Sequence, residues 1–102
     1  MPTLHTVNKS PFERNSLATC LERAAGGDGV LLCEDAVIGA RKGSAFAKAL
    51  AEKAATCAIY ALAPDLAARG IKGEDVVEAV KTVDYSGFVD LAADADRVCA
   101  WL

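Results

Sequence analysis

Val30-Leu31-Leu32-Cys33 is an unbroken apolar run, ended at once by Glu34-Asp35. The run is too short for a helix, and a strand with one face in water would alternate apolar with polar positions. It therefore reads as a strand covered on both faces, the kind found in parallel sheets flanked by helices. The pattern repeats on either side of it. Upstream, Thr3 to Val7 reads as a short strand; downstream, Ala58-Ile59-Tyr60-Ala61-Leu62 is a third, Lys81-Thr82-Val83-Asp84 a weaker one, and Arg97 to Leu102 an apolar, β-rich tail.

Helix signals lie between these strands. Ser10-Pro11-Phe12-Glu13 predicts a helix start: Ser10 as cap, Pro11 at the first helical position and Glu13 reaching back in a capping box. Leu17, Leu21 and Ala24 then fall at helical spacing, and Gly26-Gly27 supply the stop. A helical turn follows around Ala36 to Ile38. Ser44 predicts the cap of a helix from about Ala45 to Ala55, in which Phe46, Leu50 and Ala54 share a face. Pro64 opens a short helix through Arg69 with Gly70 as its C-cap, and Ser86 starts another in which Phe88 or Val89 and Ala92 or Ala93 face inward. This alternation over residues 1–102 predicts a single α/β domain, a mostly parallel sheet with helices on both faces joined by right-handed crossovers.

Composition narrows the function classes. Lys and Arg are scattered among Asp and Glu with a formal net charge of −3, so no basic stripe exists to neutralise a phosphate backbone, and direct nucleic-acid binding is not expected. The apolar share of 53% owes much to alanine, which points toward subunit interfaces. The sequence opens without a basic segment and apolar run, and no apolar stretch approaches the ~20 residues that span a bilayer. The expectation is a cytoplasmic protein with reduced thiols at Cys20, Cys33, Cys57 and Cys99. None of these forms a C-x-x-C pair, and His5 stands apart from them, so no metal and no cofactor is expected.

Individual residues offer few sites. The turn Asn8-Lys9-Ser10-Pro11 after the first strand lacks the glycines of a phosphate-binding loop, and Pro11 removes a backbone donor, which argues against a nucleotide site. Gly26-Gly27-Asp28-Gly29 follows a helix and precedes a strand, a place for chain reversal. His5 reads first as a hydrogen-bonded histidine in a covered sheet and second as a base in need of a nucleophile. Glu34-Asp35, at a strand end, read as loop solvation or a helix cap ahead of a ligand edge. Cys33, Cys57 and Cys99 read as small core residues. Cys20 lies about 60° from Leu17 on a helical wheel, compatible with packing or with a reachable thiol. Trp101, among the dispersed aromatics Tyr85 and Phe88, reads as an interface anchor.

The segment from Leu4-His5-Thr6-Val7-Asn8-Lys9-Ser10-Pro11-Phe12-Glu13 to Arg14-Asn15-Ser16-Leu17 resembles the DsrH/TusB family of the DsrE/F/H superfamily. The resemblance continues through Val30-Leu31-Leu32 with Glu34-Asp35, Tyr60 with Pro64-Asp65-Leu66 and Ala68-Arg69-Gly70. It runs on through Val83-Asp84-Tyr85 with Gly87-Phe88-Val89-Asp90-Leu91, and ends on Ala100-Trp101-Leu102. It implies a DsrE-like domain with a five-stranded sheet, and a heterohexamer with DsrE-like and DsrF-like chains. It also implies persulfide sulfur transfer within a DsrEFH-type sulfurtransferase complex, exchanging sulfur with a DsrC-like carrier during sulfur oxidation. The related TusBCD complex, which passes sulfur toward 2-thiouridine in tRNA, is the alternative pathway; a purely structural docking subunit is the other.

On this resemblance Cys20 is the candidate sulfur-handling residue, with Arg23 at i+3 in position to assist its thiolate and Glu13 or Glu22 to oppose it. Aligned with a DsrE-like chain, Leu62 falls at the principal carrier cysteine. That implies an accessory subunit rather than a complete enzyme.

Overall fold

The computed structural model describes residues 1–102. Five strands, β1 (Thr3–Val7), β2 (Gly29–Leu32), β3 (Ala58–Leu62), β4 (Val80–Val83) and β5 (Arg97–Trp101), form one sheet in the order β4-β3-β2-β1-β5. Every pairing is parallel, with His5 opposite Val30 on one side and Cys99 on the other. The helices are α1 (Ser16–Arg23), α2 (Ala47–Lys53), α3 (Ala63–Ala68) and α4 (Tyr85–Asp94), with 3-10 segments at Glu34–Ala40 and Gly73–Asp75. This is the α/β arrangement expected from the covered apolar strand at residues 30–33, and all four residues of β2 are buried.

Alternation along the strands divides the sheet into two faces. Val7, Val30, Leu32, Ile59, Ala61 and Val80 share one core with Leu17, Cys20, Leu21 and Ala24 of α1, Leu50 of α2 and Val37 of the 3-10 segment. Leu4 and Leu31, the alternate positions, are also closed to solvent. Because β4 and β5 sit at opposite edges, the connection through α4 must cross the whole sheet. Right-handed crossovers place α4 on the face away from α1, above Leu4 and Leu31. None of its residues is fully buried, however, and Val89, a candidate inward residue, is 65% exposed, while Phe88 and Ala92 are partly covered.

Three helix starts differ from the sequence reading, each because a polar group found another partner. Ser10 accepts a hydrogen bond from the Phe12 N–H at 3.2 Å, and its carbonyl accepts from Glu13 and Arg14, so it closes an isolated turn. Pro11 is buried and packs close to Gly39, where even a Cβ would meet its ring at 3.2 Å. The chain re-aims at Asn15, and α1 begins at Ser16. Ser44 accepts from the Phe46 N–H at 3.2 Å but gives its hydroxyl proton to the Gly39 carbonyl at 2.8 Å, and α2 begins only at Ala47. The cap of α4 is Asp84, which accepts from the Gly87 N–H at 2.8 Å, rather than Ser86.

Candidate functional site

Cys20 sits in the middle of α1, within the core, with no exposed surface. Burial raises its thiol from 9.0 to about 12, with further upward contributions from Cys99 and Cys57. The cation that partly offsets this is Lys53 rather than Arg23, although the Lys53 ammonium is itself donated to the Ala24 carbonyl at 2.7 Å. A thiol in this state is protonated at neutral pH and shielded from reagents. Of the two positions open to Cys20 in sequence, the structure adopts the packed one.

The other cysteines differ from one another. Cys57 is buried, its Sγ 3.2 Å from the Ala25 carbonyl. Cys33 is half-buried just past the end of β2, its Sγ 3.5 Å from the Val7 carbonyl. Burial, then Glu34 and Asp65, raise its thiol to about 11. Cys99 corrects the expectation of a packed tail: it is exposed. The physical reason is topology, because β5 is an edge strand paired only with β1.

The most elaborate polar arrangement surrounds His5. Its Nε2 lies 2.9 Å from Asp28 Oδ2, and the indole N–H of Trp101 donates to its Nδ1 at 3.0 Å. Since Trp101 is only a donor, Nδ1 is the acceptor and Nε2 carries the proton given to Asp28. The Asp28 carboxylate also accepts from the Ala25 N–H at 3.0 Å. Burial alone would raise the Asp28 carboxyl, but the hydrogen bonds from His5 and the Ala25 backbone bring it below its ordinary 3.8. Both His5 nitrogens are occupied and no nucleophile is bonded to either, so the group ties β1, β5 and the 24–29 turn together as a structural network. Trp101, partly buried, packs against the core beside this bond. Asp28 was hidden within a turn signature; the pointer to it is a buried histidine in need of a partner.

The carboxyl edge of the sheet carries Glu34, Asp35, Asp65 and Arg69. Glu34 holds a left-handed backbone, φ +48°, the one non-glycine to do so. Its N–H donates to Asp65 Oδ2 at 2.6 Å. Arg69 donates to Asp35 Oδ1 at 2.8 and 3.1 Å and to the Asp65 carbonyl at 3.1 Å. The strand-end acids therefore fasten α3 to the 3-10 segment. Leu62, the last residue of β3, lies beside them and is 3% exposed. The surface depressions of the fold are lined by residues of α1 and α2, of α3 and β4, and of the 41–44 turn; none is lined by a cysteine or by His5. No three His, Cys, Asp or Glu side chains gather as metal ligands, and no helix is long and apolar enough to cross a membrane.

Comparison with known proteins agrees with this architecture. Solved structures similar in fold include the YchN protein of Escherichia coli, with a TM-score of 0.77 at 17% identity, covering 98% of this chain and 99% of that one. The MTH1491 protein of Methanobacterium thermoautotrophicum gives a TM-score of 0.71 at 15% identity, covering 93% and 96%. In sequence, the chain is 40% identical over 98 residues to Protein TusB of Erwinia tasmaniensis, covering 96% of this chain and 99% of that protein. It is 34% identical over 100 residues to Protein TusB of Photorhabdus laumondii, with the same coverage. The family model described as DsrH like protein matches residues 9–98. The family match over residues 9–98, together with 34–40% identity to TusB proteins over 96% of the chain, shows that this chain belongs to the DsrH/TusB family of sulfur-relay subunits.

Proposed function

We propose that the chain is a docking subunit of a cytoplasmic, TusBCD-type sulfur-relay complex, assembled with DsrE-like and DsrF-like chains and serving 2-thiouridine synthesis in tRNA. The observation that carries the docking role is the burial of Leu62, the residue that the family resemblance places at the carrier cysteine of DsrE-like subunits. A leucine there holds no sulfur, and the neighbouring Cys33 is half-buried with a raised thiol, so it is a poor acceptor of persulfide. The full-length likeness to TusB proteins supports the pathway. Exposed Val89, Tyr85 and Val98 on the thinly covered α4 face and the β5 edge provide apolar surface for the sister chains.

Coexpression with DsrE-like and DsrF-like chains should give a stable complex near hexamer mass, and a tusB-deficient bacterium supplied with this chain should recover 2-thiouridine in its tRNA. After loading with a sulfur donor, persulfide should be found mainly on the DsrE-like chain. A monomer that ignores both sister chains, or sulfur carried mainly here, would reject the docking role. A second reading, a DsrEFH-type complex exchanging sulfur with a DsrC-like carrier during sulfur oxidation, is favoured by the DsrH-like wording of residues 4–17 and by Cys20. It predicts binding to the DsrC-like carrier and no rescue of thiouridine.

A further inference from the structure

The two thiols that differ most in exposure lie on the same seam of the fold. Parallel register places Cys99 opposite His5 and Trp101 opposite Val7. Val7 and Trp101 belong to the core under α1, and Cys99, two residues before Trp101, projects to that same face. α1 packs across β1 and β5 here, and the Ser16 hydroxyl donates to the Leu102 carbonyl at 3.2 Å. Cys20 is one helical turn beyond Ser16, about 6 Å along the axis, and on the same side of the helix. Because α1 leads from the end of β1 back to the start of β2, it runs antiparallel to β5, so that turn carries Cys20 from Leu102 toward Cys99.

We propose that Cys20 and Cys99 form an oxidisable dithiol, in which exposed Cys99 is capped first by attacking a low-molecular-weight disulfide and buried Cys20 resolves the product into an α1–β5 cross-link. The inference stands on the geometry of this chain and does not depend on the pathway proposed above. The Cys99 thiolate attacks one sulfur of a disulfide RSSR, breaks its S–S bond and expels RS⁻, leaving Cys99 as a mixed disulfide. Cys20 then gives its proton to a departing thiolate and attacks Cys99 Sγ; the Cys99–SR bond breaks, a second RS⁻ leaves, and Cys20–Cys99 is closed. Two protein thiols are oxidised and one RSSR is reduced to two RSH.

A disulfide requires a Cα separation of about 4.4–6.8 Å, and α1 and β5 are in contact along this seam. Cys57 is no rival as the first thiol, because it is buried against the Ala25 carbonyl and closed to a reagent.

The test is oxidation of the folded, reduced chain with glutathione disulfide, followed by non-reducing peptide mapping. A linked Cys20–Cys99 peptide, with Cys33 and Cys57 free, is the expected result, together with a raised Tm that falls back on reduction. C20S should stop at glutathione on Cys99. C99S should leave Cys20 unmodified, and its exposed position makes loss of folding no obstacle. Native chain that accumulates glutathione on Cys99 with Cys20 still free would overturn the proposal, as would a Cys20–Cys57 link or a Cys20–Cys99 link that forms only in denaturant.

Discussion

The indole N–H of Trp101 donates to Nδ1 of His5 at 3.0 Å, joining residues 96 positions apart. This bond fixes the tautomer of His5, whose remaining proton goes to Asp28. It also gives β5, exposed along most of its length, a specific attachment to β1. Trp101→Phe keeps most of the apolar packing and deletes the donor. A partly buried acceptor left without a partner costs about 1–2 kcal/mol. The expected outcome is a Tm several degrees lower, at about 4–8 °C per kcal/mol for a domain of this size, with faster hydrogen exchange in β5.

Asp28→Asn tests the other end of the network. The carboxylate accepts charge-assisted bonds from His5 and the Ala25 N–H, so its replacement should cost roughly 1.5–3 kcal/mol at neutral pH. The pH dependence has a definite sign. Folding lowers the Asp28 pKa below 3.8, so its contribution is fully present above 3.8 and is lost as pH falls through the lower folded value. Urea unfolding of the two proteins should show their stability gap narrowing below pH 3.8.

Cys20 predicts the behaviour at the alkaline limit. Its thiol is raised to about 12 in the fold from 9.0, so the unfolded chain releases this proton first. Stability from this residue is intact below pH 9 and declines as pH rises toward 12, by about 1.4 kcal/mol per pH unit. Cys20→Ala should flatten that decline. Equal alkaline slopes in the two proteins would place the ionisation elsewhere.

Glu34 occupies a left-handed conformation that a Cβ disfavours by about 1–2 kcal/mol. Glycine removes that cost and returns part of the gain as unfolded-chain entropy. Glu34→Gly should therefore stabilise the chain by about 0.5–1 kcal/mol, since the N–H bonded to Asp65 is retained. Chemical denaturation at neutral pH checks it.

Strand periodicity was the most legible layer: Thr3–Val7 and Ala58–Leu62 coincide with the strands read from the apolar pattern, and β2 and β4 are displaced by one residue. Helix starts were less legible, because Ser10 and Ser44 carry the right side chain for a cap yet spend it on a turn and on the Gly39 carbonyl. Cys99 was misread for a different reason. An apolar tail has the same pattern whether it ends in the middle of a sheet or on its edge, and only strand order decides between them. Asp28 shows the remaining gap: its two partners are three and twenty-three positions away, a separation that no local motif encodes.

Placing residues 97–101 beside residues 3–7 has a consequence for biosynthesis. A nascent chain that has released β1 through β4 can pair four strands, but the outer side of β1 then remains an open template of unpaired backbone groups. His5 and Asp28 are already out, whereas the indole that completes them is not. Closure therefore awaits one of the longest-range pairings in the chain, a contact class associated with slow folding and a period of vulnerability to wrong strand partners. A truncation that removes β5 would extend that period indefinitely, turning a short tail into the step that separates a folded subunit from an aggregating one.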